Sequence, residues 1–339
     1  YSPPDPYENM ITPKETPVPV YEADGWSMSG ADVLTIRSNE GWFDWLRQNE
    51  FVNPKNIVIE KGVTELTLYD MSENEPIEGY YQTAYIIGHD EIGAPIYNKK
   101  IHFVSPYKIY LAPENKAFTY SNGMLIDIQK KEIVLTDSTL PREIVVPDGI
   151  LSIGNGAFWG RYIGSIQLPD TLQTIGTEAF GSCDMTQIHL PDSVTSIGKA
   201  AFRDCSKLTS VEFPKNLTRI EAESFYHTGL ITITFPKTIQ EIGEGAFSRC
   251  LDLQHVQLPE SLQKIGSSAF MDCDQLDYVW FSDQIESIGP SAFAGCTKLK
   301  EIILPDSLNI IGMDAFQGCK PAMLRIPPEL KILDYNFEL

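Results

Sequence analysis

A unit of 22 or 23 residues recurs about eight times in the C-terminal part of this chain. Each unit contains a phenylalanine that follows a small residue, in most units an alanine. One such unit cannot bury its own apolar side chains, so neighbouring units must stack and share a core. The period therefore predicts a solenoid whose interior receives one ring from each coil: Phe158, Phe180, Phe202, Phe225, Phe247, Phe270, Phe293 and Phe316.

Each unit also carries alternating apolar residues that end at a proline, as in residues 253–259. The alternation indicates a short strand with one buried face, and proline ends the strand because it has no N–H to donate. An Ile-Gly pair follows in most units, and we expect its glycine to permit a turn that residues with a Cβ avoid. These columns predict an α/β-type solenoid, composed mostly of short parallel β-strands joined by turns, in coils of 22–23 residues.

The repeat resembles the BspA-like class of leucine-rich repeats. The stretch LDLQHVQLPESLQKIGSSAFMDC, residues 251–273, is a near-complete match to the pattern of that class. The resemblance implies a right-handed leucine-rich-repeat superhelix, with parallel strands on a concave sheet and a short second strand on the opposite side. Local departures are Glu221 after Ile220, Ser224 in place of alanine, and Phe281-Ser282 in place of Leu-Pro.

Three segments of different character divide the chain. Residues 1–30 are rich in proline and are predicted to form an extended leader or linker. Residues 31–143 are predicted to form irregular N-terminal repeats and a hairpin cap at 118–137, although a separate small domain over 31–115 is an alternative. Residues 144–339 contain the regular repeats. No signal peptide opens the chain, and the simplest interpretation is that a targeting segment has been removed.

All six cysteines occupy one coil position, three residues after the phenylalanine. Zinc sites require close Cys pairs that converge on one point, whereas these residues form a ladder with one member per coil. Ladder neighbours also point the same way, which is unfavourable for a disulfide. We predict buried, unpaired thiols that pack as small apolar groups: Cys183, Cys205, Cys250, Cys273, Cys296 and Cys319.

Charge and motifs exclude several classes of function. The chain has 26 basic and 46 acidic residues, a net charge of −20, which argues against nucleic-acid binding. No apolar stretch is long enough for membrane insertion. Motifs for phosphate binding, metalloprotease chemistry or a nucleophilic serine are absent, so we expect no enzyme, no cofactor and no metal site.

Outward-facing strand positions are the places where the coils differ. Early coils carry small polar groups there, whereas later coils bring larger side chains together. Exposed aromatic clusters are typical of binding sites, although tyrosine and tryptophan are also ordinary strand formers. We predict a hypothetical concave patch on an extracellular or bacterial cell-surface protein that binds a protein or a glycan. A structural spacer without a specific ligand is the alternative. The patch consists of His255, Tyr278, Trp280, Glu301 and Ile303.

Overall fold

A computed structural model describes residues 21–23, 26–29, 33–37, 56–61, 63, 85–89, 95–98, 108–328 and 330–332. Contacts divide the chain into two compact units, with the division between Tyr120 and Ser121. The described residues form strands and turns and contain no helix. The solenoid of short strands in coils of about 23 residues is therefore confirmed, with strands alone supplying its regular structure.

The first unit contains two kinds of strand pairing. Its strands are β1 (Tyr21–Ala23), β2 (Trp26–Ser29), β3 (Val33–Ile36), β4 (Asn56–Ile59), β5 (Tyr85–His89), β6 (Pro95–Asn98) and β7 (Lys108–Leu111), with β8 (Phe118–Ser121) at the boundary. Strands β1, β2 and β3 pair antiparallel, whereas β3, β4 and β7 pair parallel. Strands β5 and β6 form an antiparallel hairpin.

Residues 1–20 of the predicted leader lie outside the described residues. The rest of that segment includes β1 and β2, which its proline content did not indicate. The segment boundaries at residues 30 and 143, and the choice between irregular repeats and a separate domain, stay predictions.

The second unit begins with an antiparallel hairpin of β9 (Met124–Asp127) and β10 (Glu132–Thr136). Strand β10 then pairs parallel with the first of a series of two-residue strands. This second ladder consists of β12 (Ser152–Ile153), β14 (Thr174–Ile175), β16 (Ser196–Ile197), β18 (Arg219–Ile220), β20 (Glu241–Ile242), β22 (Lys264–Ile265), β24 (Ser287–Ile288), β26 (Ile310–Ile311) and β28 (Lys331–Ile332).

Three-residue strands form the principal ladder, which carries the outward columns. It consists of β11 (Glu143–Val145), β13 (Ser165–Gln167), β15 (Gln187–His189), β17 (Ser210–Glu212), β19 (Thr232–Thr234), β21 (His255–Gln257), β23 (Tyr278–Trp280), β25 (Glu301–Ile303) and β27 (Met323–Arg325). Parallel pairing joins β11 to β13, β15 to β17, β19 to β21 and β23, and β25 to β27. In β15, β19 and β21 the middle residue is buried and both neighbours are exposed.

Glycine in the Ile-Gly column has a different role from the predicted one. These glycines do not have positive φ. Instead, each passes close to the preceding coil: a Cβ on Gly289 would lie 2.5 Å from the nitrogen of Ser267 and 2.7 Å from the carbonyl carbon of Gly266. Glycine is therefore used here for close approach between backbones, and the turn occurs elsewhere in the coil.

Candidate binding site on the principal ladder

Strands β21, β23 and β25 position the five residues predicted as a concave patch, here called the aromatic patch (His255, Tyr278, Trp280, Glu301 and Ile303). The parallel register places His255 beside Tyr278, and Gln257 beside Trp280. Lys300 N donates to Asp277 O at 3.0 Å, immediately before strands β25 and β23. The five residues therefore lie on consecutive coils, in the two outward columns of the ladder.

The aromatic patch is accessible from solvent. Trp280 is 54% exposed and Ile303 is 45% exposed, whereas the middle residues Val279 and Ile302 are buried. His255 is exposed, and Tyr278 and Glu301 are half-buried. The alternation follows from strand geometry, since successive side chains point to opposite faces.

Tyr278 and Trp280 stack on each other along β23. Their ring centroids are 5.8 Å apart and their planes differ by 21°. The sequence placed both residues on one face but did not indicate that the rings would be in contact. The pair forms a platform of two aromatic rings on a ladder whose other outward residues are mostly polar.

Lys300 also contacts the Tyr278 ring. Its Nζ lies 4.9 Å from the ring centroid and 3.0 Å from Oδ2 of Asp277. The hydrogen bond to Asp277 raises the pKa of Lys300. Sequence reasoning missed both residues. A signal was available, because opposite charges occupy the same coil position in consecutive coils.

The charges around the aromatic patch are unequally paired. Arg325 Nη2 contacts Asp306 Oδ1 at 2.7 Å, and Lys300 contacts Asp277. Lys298 instead donates to the amide oxygen of Gln275 at 2.6 Å, and among the described residues neither Lys298 nor Lys237 has a carboxylate partner. Within the described part of the chain, three carboxylates near these strands have no ion-pair partner: Glu260, Asp283 and Glu301. Glu260 and Asp283 occupy the same coil position, three residues beyond Gln257 and Trp280.

Earlier strands of the principal ladder carry a different surface. Their outward residues include Ser165, Gln187, Ser210 and Thr232, all exposed. His189 Nδ1 lies 2.6 Å from Glu212 Oε2, so this pair bridges β15 and β17. Val145 on β11 is an exposed apolar residue that the sequence analysis did not include.

The structural ladder predicted from the repeat lies inside the coils. All eight phenylalanines are buried, and neighbouring rings stack with centroids 5.1–5.5 Å apart. The six cysteines are buried and have free thiols. These columns stabilise the coils and present no chemistry at the surface.

An apolar groove on the second ladder was also missed. It has a volume of about 340 Å³ and is lined mainly by apolar residues of the late coils. Met313 and Ile310 on its rim are exposed. Most other units have a polar residue at the coil positions of Ile310 and Met313, and this difference could have indicated the groove from the sequence. Its lining includes Ile265, Ile288, Pro290, Ile310 and Met313.

Among the described residues, no three His, Cys, Asp or Glu side chains are grouped so that they could hold a metal ion. The same residues include no helix with the length and apolar character of a membrane span.

Comparison with known proteins gives a family match and several solved structures. The family described as BspA type leucine-rich repeat region, in six copies, matches residues 136–250 and 219–338. A leucine-rich repeat protein from Eubacterium ventriosum has 22% identity and a TM-score of 0.49, over 82% of this chain and 61% of that chain. The present chain thus spans less than two thirds of that relative.

Two further structures are similar over different lengths. A leucine-rich cell surface protein from Faecalibacterium prausnitzii has 20% identity and a TM-score of 0.48, over 94% of this chain and 91% of that chain. A leucine-rich repeat protein from T. pallidum has 26% identity and a TM-score of 0.38, over 62% and 83%. No curated protein matches the chain.

Proposed function

Because the chain belongs to the BspA type leucine-rich repeat family, we propose that it is a non-catalytic interaction module of a bacterial secreted or cell-surface protein. In this proposal the module binds a protein or glycan partner through the principal ladder, and the aromatic patch is the contact site. Fold alone does not determine a ligand, so the proposal depends on the chemistry of the patch.

The observation that carries the proposal is the stacked pair Tyr278–Trp280. Large rigid aromatic side chains give much contact area at a small loss of conformational entropy, and they dominate the energetics of many interfaces. Here the rings are mutually ordered and Trp280 remains more than half exposed. Its register neighbour on the preceding strand, Gln257, is polar, so the platform of two stacked rings is confined to β23.

A binding array tests the proposal. The intact chain and the double variant Tyr278→Ala/Trp280→Ala are applied to immobilised glycans and to proteins of candidate host and neighbouring cells. We expect the double variant to lose ligands that the intact chain retains. Tyr162→Ala is the matched control, because Tyr162 is 72% exposed in the connecting segment before β13, outside the strands of the principal ladder, and it should leave binding unchanged.

Two outcomes would count against a binding role for the patch. If the double variant retained every ligand, the patch would not be the contact site. If the intact chain bound nothing while remaining folded, the spacer hypothesis would replace the interaction module.

A further inference from the structure

We propose that the aromatic patch takes a basic peptide segment of a protein partner, with a lysine or arginine side chain lying over Trp280. This inference rests on the proposed function and adds the chemistry of the partner. It is carried by three observations: a cation already bound on the stacked rings, the balance of paired and unpaired charges, and the kind of polar groups that remain.

The molecule already contains the interaction that the partner would repeat. The Lys300 ammonium lies over the Tyr278 ring and is held by the Asp277 carboxylate. Arg203 makes a second contact of this kind, 4.5 Å from the Tyr226 ring centroid, and it is also paired with carboxylates. A cation over an aromatic face beside a carboxylate therefore occurs twice in the second unit, once at the principal ladder and once in the turns that follow the phenylalanines.

Trp280 is the next ring in the same stack. It stacks on Tyr278, and Lys300 contacts the Tyr278 ring and not the Trp280 ring. The exposed part of Trp280 has no cation on it among the described residues. Tryptophan is the aromatic side chain that attracts cations most strongly, so the open position favours an incoming cation more than the occupied one does.

Carboxylates without an ion-pair partner outnumber such cations on the coils around Trp280: Glu260, Asp283 and Glu301 against Lys237 and Lys298, all in the described part of the chain. The nearby cations Lys300 and Arg325 are each bound to a carboxylate of this chain. Glu260, Asp283 and Glu301 have no such partner in the described part. A positively charged segment would complement these carboxylates, and the net charge of −20 would speed its approach at low ionic strength.

The hydrogen-bonding groups favour the same partner. Ionised carboxylates only accept hydrogen bonds, whereas a guanidinium supplies five N–H donors and no acceptor. Three carboxylates on the coils of β21, β23 and β25 therefore match arginine more closely than they match an anionic or purely apolar ligand.

Titration of the intact chain with a peptide of alternating arginine and serine tests the inference. The same peptide with glutamine in place of arginine is the uncharged control peptide. A panel of neutral oligosaccharides is the third probe. Calorimetry gives the affinity at low and at physiological ionic strength. We expect the arginine peptide to bind, the glutamine peptide to bind more weakly, and the difference to shrink as salt increases.

Variants separate the aromatic contribution from charge and apolar area. Trp280→Leu keeps an apolar side chain and removes the ring, and it should lower the affinity for the arginine peptide roughly two- to thirtyfold. Glu301→Gln should weaken it about two- to fivefold. Glu244→Gln is the charge control, because Glu244 is exposed in the turn that follows the second-ladder strand β20, and it should leave the affinity unchanged.

Two results would overturn the inference. Equal weakening by Glu301→Gln and Glu244→Gln, with no effect of Trp280→Leu, would mean that the peptide binds the acidic surface without a site. Loss of a neutral oligosaccharide in Trp280→Leu, with the arginine peptide unaffected, would assign the patch to a glycan. That second result would be consistent with the proposed interaction module. If Trp280→Leu bound both the arginine peptide and the oligosaccharides as well as the intact chain does, the result would count against this inference and against the proposed function of the patch.

Discussion

Each of the six cysteines donates its thiol proton to the carbonyl oxygen of the phenylalanine in the preceding coil, at 3.0–3.2 Å. Two of the eight coils have no cysteine at this position: one has Arg161 and the other has Thr228. The hydroxyl of Thr228 donates to Phe225 O and lies 3.2 Å from the Cys250 sulfur. The Thr228 hydroxyl donates within its own coil, whereas each thiol donates to the preceding coil. Because a hydroxyl and a guanidinium also occupy this buried position, the column does not depend on sulfur chemistry.

Alkaline pH should destabilise the chain through these thiols. Desolvation raises the pKa of Cys183 from 9.0 to about 12 and that of Cys250 to about 11. The folded state therefore retains protons that the unfolded state loses above pH 9. The free energy of unfolding should be unaffected by these groups below that pH and should decrease as pH rises towards 11–12, by at most about 1.4 kcal/mol per pH unit and thiol. Urea unfolding over this range measures the slope.

The double variant Cys183→Ser/Cys250→Ser provides the control for that slope. Serine does not titrate in this range, so the decrease in stability should be smaller by the contribution of two thiols. An unchanged slope would assign the alkaline loss to other groups.

Two left-handed residues turn the backbone in every regular coil. They lie two positions before and two positions after the phenylalanine, and all sixteen have positive φ. Only five of the sixteen are glycine: Gly156, Gly160, Gly245, Gly295 and Gly318. Left-handed backbone costs other residues roughly 1–2 kcal/mol, so the other eleven positions carry strain that packing between coils must offset.

Ser268→Gly should relieve this strain. Ser268 has a φ of 53° at the position where other coils carry Gly156 and Gly245. We expect stabilisation of about 0.5 kcal/mol, because relief of the steric cost exceeds the added flexibility of the unfolded chain. Ser267→Gly is the matched control, because Ser267 is the neighbour of Ser268 and does not have positive φ. This variant should lower the free energy of unfolding by about 0.5–1 kcal/mol. Chemical denaturation of both variants decides the sign.

Gly289→Ala should destabilise the coil contact. The added Cβ would lie within 2.7 Å of two backbone atoms of the preceding coil, and relaxation of such overpacking costs about 1–3 kcal/mol. Glu221→Ala changes the same coil position in a unit that has no glycine there. It removes an exposed contact with Arg219 and should cost less than about 1 kcal/mol. Equal losses for the two variants would contradict the close-approach interpretation.

The repeat predicted the buried columns because the apolar side chains recur at fixed positions in the sequence, and Phe247 and Phe270 at two of these positions are fully buried. It did not predict the turns, because Ala200 and Glu178 adopt left-handed backbone without any local signal. It placed Tyr278 and Trp280 on one face, since strand alternation determines the face. The Lys300 contact depends on rotamers and on the neighbouring coil, which a single strand pattern does not encode.

One continuous apolar core runs through the second unit, from Met124 on β9 to Cys319. Each phenylalanine stacks on the rings of the adjacent coils. Stability in such an array is approximately a sum of terms within coils and between nearest neighbours. Damage to one coil should therefore be felt most strongly by the coils beside it.

Phe247→Ala tests this locality. Removing a fully buried ring should cost about 3–5 kcal/mol. Hydrogen exchange should accelerate in the coils that contain Phe225 and Phe270 more than in the distant coil that contains Phe158. Phe158→Ala is the comparison, because it should shift the accelerated region to the other end of the regular array. Uniform acceleration in both variants would instead indicate a single cooperative unit.

The parallel ladders also determine how the second unit would respond to tension. Backbone hydrogen bonds between coils, such as Gly266 N to Ile242 O, join each coil only to its neighbours in the stack. A force that separates the two ends of the stack would load these contacts one coil after another. Each 23-residue coil that peels off would add roughly 75 Å of contour, which is about 80 Å of extended chain less one strand spacing of about 5 Å. The repeat length would thus become the step size of an extensible tether.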